Sequence, residues 1–307
     1  MNRIWFSVIA LVSLAACSSG APDSTDDSAS SQDAIVGGKS DTKDLAVVAI
    51  DIGGEALCTG SLIGPRLVLT ARHCVSDTSE EVDCPASGAQ ITGERAADSF
   101  TILVGNNLKT ARAVAIGQRV ITPDSDVLCD HDAALIELDR DVTGITPLAL
   151  GSLSGVKTVR GVGFGKRGDN ADAGKKMTRS NVAIHSESDS EFVVGVLSCN
   201  GDSGGPALDS KGRVVGIVSR GGPNCNGPDS ENIYTRVDAF HALIDQALQE
   251  TGAASSGSDT SGDPGASGDP GASGDTGSST AAECGQGKRC PNGSHCNEST
   301  LRCEATN

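Results

Sequence analysis

Between residues 35 and 248 the apolar side chains come in short bursts: LAVVAI at 45–50, RLVLTA at 66–71, FTILVG at 100–105, AALIEL at 133–138 and VVGIV at 214–218. Turn-forming residues separate them. Bursts of this length are strand-sized, and their spacing predicts an antiparallel β domain. Composition points the same way. Gly stands at 39 positions and aromatic residues make up only 2% of the 307 residues, so tight turns come easily and the core must be largely aliphatic. The length of this body suffices for two small barrels or sandwiches packed together. One helix is expected at its end, where Val237, Phe240, Leu243, Ile244, Ala247 and Leu248 recur at helical spacing.

The segment before residue 35 differs. Arg3 precedes an apolar run at 4–16 that is too short to span a bilayer, as in a secretory signal peptide (1–16). Its end, Leu14-Ala15-Ala16-Cys17, resembles a bacterial lipobox. That resemblance implies lipidation of Cys17, export to the cell envelope, and membrane contact through the anchor. Residues 17–34 are acidic and Ser-rich, a tether without apolar periodicity. Removing Cys17 from the eleven cysteines leaves ten, an even number that suits disulfides in an exported chain.

After the body, residues 251–280 form a linker with Gly at every third position from Gly262 to Gly277. The run is too short for a collagen-like helix, so a flexible spacer is expected. Residues 281–307 carry Cys284, Cys290, Cys296 and Cys303 with no Cys-x-x-Cys pair, which predicts a small disulfide module and no metal. With 24 basic and 40 acidic residues the formal net charge is -16, which argues against nucleic acid as a partner.

Three segments carry chemistry: CTGSLIGPRLVLTARHC at 58–74, DHDAALIEL at 130–138 and CNGDSGGPAL at 199–208. Singly, each has an ordinary structural reading as a turn, cap or core residue. In this order they resemble the chymotrypsin-like (trypsin-fold) serine proteases over residues 35–250. The resemblance implies an all-β fold of two packed six-stranded antiparallel barrels with a C-terminal helix. It implies a monomeric endopeptidase acting on proteins or peptides, without a cofactor. Ser203 would be the nucleophile, His73 the general base and acid, and Asp132 the carboxylate that orients it. Asp130 and His131 are rivals for the last two roles. The backbone N–H groups of Gly201 and Ser203 would form the oxyanion hole.

The same resemblance gives Ile35-Val36-Gly37-Gly38 a purpose. Cleavage after Ala34 would free the Ile35 amine to pair with a buried Asp202 and shape the oxyanion site. Disulfides Cys58–Cys74, Cys199–Cys225 and, by remainder, Cys84–Cys129 are implied. Leu197 would sit at the base of the primary specificity pocket, with Ser219, Gly221 and Asn232 along its walls and floor. An uncharged base predicts small or medium apolar residues before the scissile bond. Arg72 and Arg220 depart from the family pattern; Arg220 is expected to put positive charge beside the substrate channel. A catalytically weak relative, using the fold as a surface binding module, is the alternative.

Overall fold

The computed structural model describes residues 35–78, 84, 90–222, 224–225, 227, 230–253, 294–297 and 302–305. The expected signal peptide, Cys17, the tether and most of the linker and tail lie outside them. The chain divides into one unit through Gly257 and another from Ser258. In the second, Ser294–Asn297 and Arg302–Ala305 pair antiparallel, with Cys296 opposite Cys303.

In the first unit, six strands make a closed barrel: β1 (Val47–Ile52), β2 (Ala56–Gly64), β3 (Leu67–Thr70), β4 (Phe100–Val104), β5 (Arg112–Ile121) and β6 (Ala134–Leu138). Their spatial order is β1-β2-β3-β6-β5-β4. Six more follow: β7 (Thr158–Gly163), β8 (Met177–Glu187), β9 (Glu191–Gly195), β10 (Pro206–Leu208), β11 (Val214–Gly221) and β12 (Glu231–Arg236). They run in the order β7-β8-β9-β12-β11-β10, the first barrel's order shifted by six, and all pair antiparallel. The two six-stranded barrels thus share one topology.

The bursts seen in sequence account for these strands. β1 and β3 are almost wholly buried on both faces, which is why they read as continuous apolar runs and not as alternations. The first barrel's core continues into Val162, Phe164, Leu208 and Ile217 of the second, so the barrels are packed through a common apolar seam. Ile35 belongs to the second core, with Val159, Phe192, Val215 and Tyr234. After a short 3-10 turn at Asp238–Phe240, helix α1 (His241–Glu250) buries Ile244, Ala247 and Leu248. Leu248 packs over Gly64 at the end of β2, so the helix covers the first barrel. No helix among the described residues is long and apolar enough to cross a membrane.

Candidate active site

His73 and Asp132 come from the first barrel. β3 ends at Thr70, and the chain turns at once into a four-residue helical segment, Arg72–Val75, which carries His73. Asp132 lies two residues before β6. Because Thr70 pairs with Ala134 across β3 and β6, the two loops emerge side by side. The His73 Nδ1 lies 2.8 Å from Asp132 Oδ2, and the His73 backbone N–H donates to Oδ1 at 3.0 Å. Asp132 is fully buried, and the Ser219 hydroxyl donates to its Oδ2 at 2.6 Å.

Burial alone would push the His73 imidazolium toward losing its proton. The Asp132 charge and hydrogen bond outweigh that, and the His73 pKa is raised above 6.5. Burial likewise works against an ionised Asp132, but His73 and the Ser219 hydroxyl hold its pKa below the ordinary 3.8. The rivals are placed elsewhere. Asp130 is exposed and accepts from the Ser190 hydroxyl, while the His131 ring is 2.9 Å from the Cys129 carbonyl.

Ser203 comes from the second barrel, on the loop before β10. Gly204 presses that loop onto the chain leading to His73, and Gly201 presses it onto Gly165. At Gly204, with φ +78°, a Cβ would lie 2.0 Å from Thr70 Oγ1 and 2.9 Å from the Ala71 nitrogen. No residue but glycine fits there. Gly201 has φ +98°, also in glycine territory. Around them the backbone donors are spent: Asp202 N–H on Cys199 O at 2.9 Å, Gly204 N–H on Val218 O at 2.9 Å and Gly205 N–H on Asp202 O at 2.8 Å. Among the described residues, the Gly201 and Ser203 N–H groups donate to no protein atom. They remain free for an oxyanion.

Thr59, on β2, is the tie between barrels that sequence reasoning missed. Its N–H donates to Ser203 O at 2.8 Å, its hydroxyl donates to Gly201 O at 2.8 Å, and the Thr59 Oγ1 itself accepts from Phe164 N–H at 3.2 Å. The available signal was weak: Thr59 and Ser61 are the two hydroxyl residues in an otherwise apolar strand, and both are buried.

Asp202 is fully buried in a cradle of glycine. A Cβ at Gly163 would lie 2.1 Å from its Oδ1, and one at Gly165 2.5 Å from its Cγ. The N–H groups of Gly165, at 2.7 Å, and Cys199, at 3.0 Å, donate to the carboxylate, and so does the Ile35 N–H. Burial outweighs these neutral donors and pushes the Asp202 pKa up to about 7.

Beside Ser203 is a cavity of about 200 Å³, lined by Ser198, Val218, Ser219, Gly221 and Asn232 among others. Leu197 is not part of it. Its side chain is fully buried in the second core against the face of Gly161. Asn232 does line it, and its Oδ1 accepts from Leu197 N–H at 2.6 Å and Ser198 N–H at 2.8 Å. All three expected body disulfides are formed: Cys58–Cys74, Cys84–Cys129 and Cys199–Cys225. Cys58, His73 and Cys74 place ligand atoms within 4.8 Å of one another, but both sulfurs are spent in the disulfide.

A family model described as trypsin matches residues 35–244. The chain belongs to the trypsin family of serine proteases. It is 29% identical over 223 residues to the CLIP domain-containing serine protease B10 of Anopheles gambiae, covering 62% of this chain and 61% of that protein's length. It is 31% identical to snake venom serine proteinase 14 of Crotalus adamanteus, over 63% of this chain and 77% of that one. Granzyme M of Rattus norvegicus is 25% identical, over 62% and 80%. A solved structure of neuropsin, a serine protease expressed in the limbic system of mouse brain, aligns with a TM-score of 0.54 at 20% identity. It covers 70% of this chain and all of its own, and carries the fold.

The two departures from the trypsin family pattern resolve. Arg72 turns away from His73: its Nε donates to the Ser76 hydroxyl at 2.8 Å, Nη1 to Pro123 O at 2.8 Å, and Nη2 to Glu94. It pins the His73 segment from behind. Arg220 was expected to put positive charge beside the substrate channel. Instead both its terminal nitrogens hold Glu191 on β9, Nη2 to Oε2 at 2.7 Å, so the charge is already met from within the chain.

Proposed function

We propose that this trypsin-family hydrolase is a serine endopeptidase made as a zymogen and switched on by cleavage between Ala34 and Ile35. Ser203 Oγ attacks the scissile carbonyl carbon while His73 takes its proton. The resulting oxyanion is met by the Gly201 and Ser203 N–H groups. Collapse expels the amine, which takes the proton from His73, and leaves an acyl-Ser203 ester. Water, deprotonated by His73, then hydrolyses that ester. Asp132 stays ionised throughout and stabilises the imidazolium. The observation carrying the chemistry is the buried Asp132–His73 hydrogen bond opposite a loop whose Gly201 and Ser203 donors are unspent.

Two observations support the activation step. A neutral N–H at Ile35 leaves Asp202 with a pKa near 7, a carboxyl short of a countercharge. Ile35 also has φ +50°, a region costly for a β-branched residue. Hydrolysis of the Ala34–Ile35 bond abolishes that torsion and turns the amide into the missing ammonium.

The pocket suits small or medium uncharged residues before the scissile bond. Among the described residues, no carboxylate lines it to receive Lys or Arg. Its serines and Asn232 widen the expected class from apolar to uncharged side chains. Ala34 fits this class, so self-processing follows. With the lipid on Cys17, cleavage after Ala34 releases the body from the envelope as activity appears. N-terminal sequencing of active protein tests this: it should begin at Ile35, and active protein still beginning at Cys17 would refute the activation step. A Ser203→Ala chain should remain uncleaved when expressed alone.

A further inference from the structure

Arg179, on β8, reaches across to the segment that follows Ile35. Its Nη1 donates to Val36 O at 2.8 Å and to Val196 O at 2.8 Å. Val36 N–H in turn donates to Leu197 O at 2.8 Å. One guanidinium nitrogen therefore bridges two chain segments: the one that delivers Ile35 to Asp202, and the one that leads from β9 into the Ser203 loop. Gly37, at φ +72°, lies directly beneath, where a Cβ would be 3.5 Å from Arg179 Nη1. Beyond it, Lys39 and Ser40 add to the edge of β8 opposite Thr178 and Met177. The segment is thus seated along β8 by backbone pairing at one end and by Arg179 at the other. Nothing in the sequence motifs singled Arg179 out.

We propose that Arg179 is a positioning residue for activation: a clasp that holds the Val36 carbonyl and so keeps the Ile35 amine on Asp202. The proposal rests on the activation reading above. Arg179 is already anchored on Val196 O. Its second acceptor, Val36 O, is present only when the segment is seated, so the hydrogen bond biases seated over unseated. A hydrogen bond from a charged donor biases such an equilibrium by on the order of tenfold.

The charged and titratable groups around the seated amine are Asp202 on the Ser203 loop, Tyr234 on β12 and Arg179 itself; the Gly163–Gly165 turn contributes only backbone. Simple removal of a nearby positive charge would favour the ammonium and move the amine's pKa up. Loss of the clasp unseats the ammonium from Asp202 and moves it down. The two effects have opposite signs.

The test uses the processed protein beginning at Ile35, with Arg179→Met and Arg179→Lys beside the parent. Two quantities are read: the alkaline limb of kcat/KM, and the rate at which the Ile35 amine is reductively methylated, followed by mass spectrometry. For Arg179→Met the limb should fall by about one pH unit and methylation should quicken about tenfold. Arg179→Lys, serving one carbonyl at a time, should fall between; it also stands in if Arg179→Met does not fold. A limb that stays put or rises, or an amine as protected as in the parent, overturns the clasp. A parent enzyme that keeps full activity after its Ile35 amine is acetylated overturns the activation reading instead.

Discussion

The charge state of Asp202 gives a quantitative prediction for stability. In the uncleaved chain the carboxyl is buried with only neutral N–H donors, and its pKa moves from 3.8 to about 7. The protonated form is therefore favoured by folding. Its contribution is complete below about pH 4 and is lost as pH rises toward about 7. The displacement amounts to about 4 kcal/mol at about 1.4 kcal/mol per tenfold, a ceiling reached only if the loop holds its shape while the carboxyl ionises. In the protein beginning at Ile35 the ammonium supplies the countercharge, and no comparable loss should occur over this range. The comparison is urea unfolding of the Ser203→Ala chain with and without residues up to Ala34, between pH 4 and pH 7.5. The gap in unfolding free energy should widen with pH, in favour of the processed form, by up to about 4 kcal/mol. Two parallel stability curves would refute the reasoning.

Other outcomes follow from the same geometry. Thr59→Val removes the hydroxyl that holds Gly201 O and Phe164 N–H, so the fold should lose about 1–3 kcal/mol by denaturant titration and acylation of Ser203 should slow. Because Asp132 raises the His73 pKa and the base must be neutral, the acid limb of kcat/KM should have its midpoint above pH 6.5. In Asp132→Asn that limb should move down, with kcat reduced on the order of 10³–10⁴-fold in stopped-flow or progress-curve assays. Glu191→Gln leaves Arg220 without its carboxylate, so peptides with an acidic residue beside the pocket rim should gain on the order of fivefold in relative kcat/KM.

The order of the three motifs made the two barrels legible in sequence, and with them the candidate trio His73, Asp132 and Ser203. Motif and strand adjoin there: Asp132 lies two residues before β6, and the Ser203 loop leads into β10. The need for glycine at 163 and 165 was not legible, because its reason is the closeness of Asp202. What sequence misjudged were side chains whose direction is set by a partner far along the chain. Leu197 turns into the core because Asn232, 35 residues on, holds its backbone from the pocket side. Arg220 is silent as a charge because Glu191, 29 residues before it, reaches it across the sheet. Arg179 matters through two carbonyls, and carbonyls carry no sequence signature.

The account's central claim is that Ser203 becomes a competent nucleophile when the Ile35 ammonium meets Asp202. The most direct measurement is the rate of fluorophosphonate labelling, read by intact mass and peptide mapping, for the protein beginning at Ile35 and for the uncleaved chain with residue 34 changed to block processing. Fast, single-site labelling at Ser203 in the first and labelling slower by orders of magnitude in the second is the expected result. Equal rates in the two forms, or a label on any residue but Ser203, would contradict it.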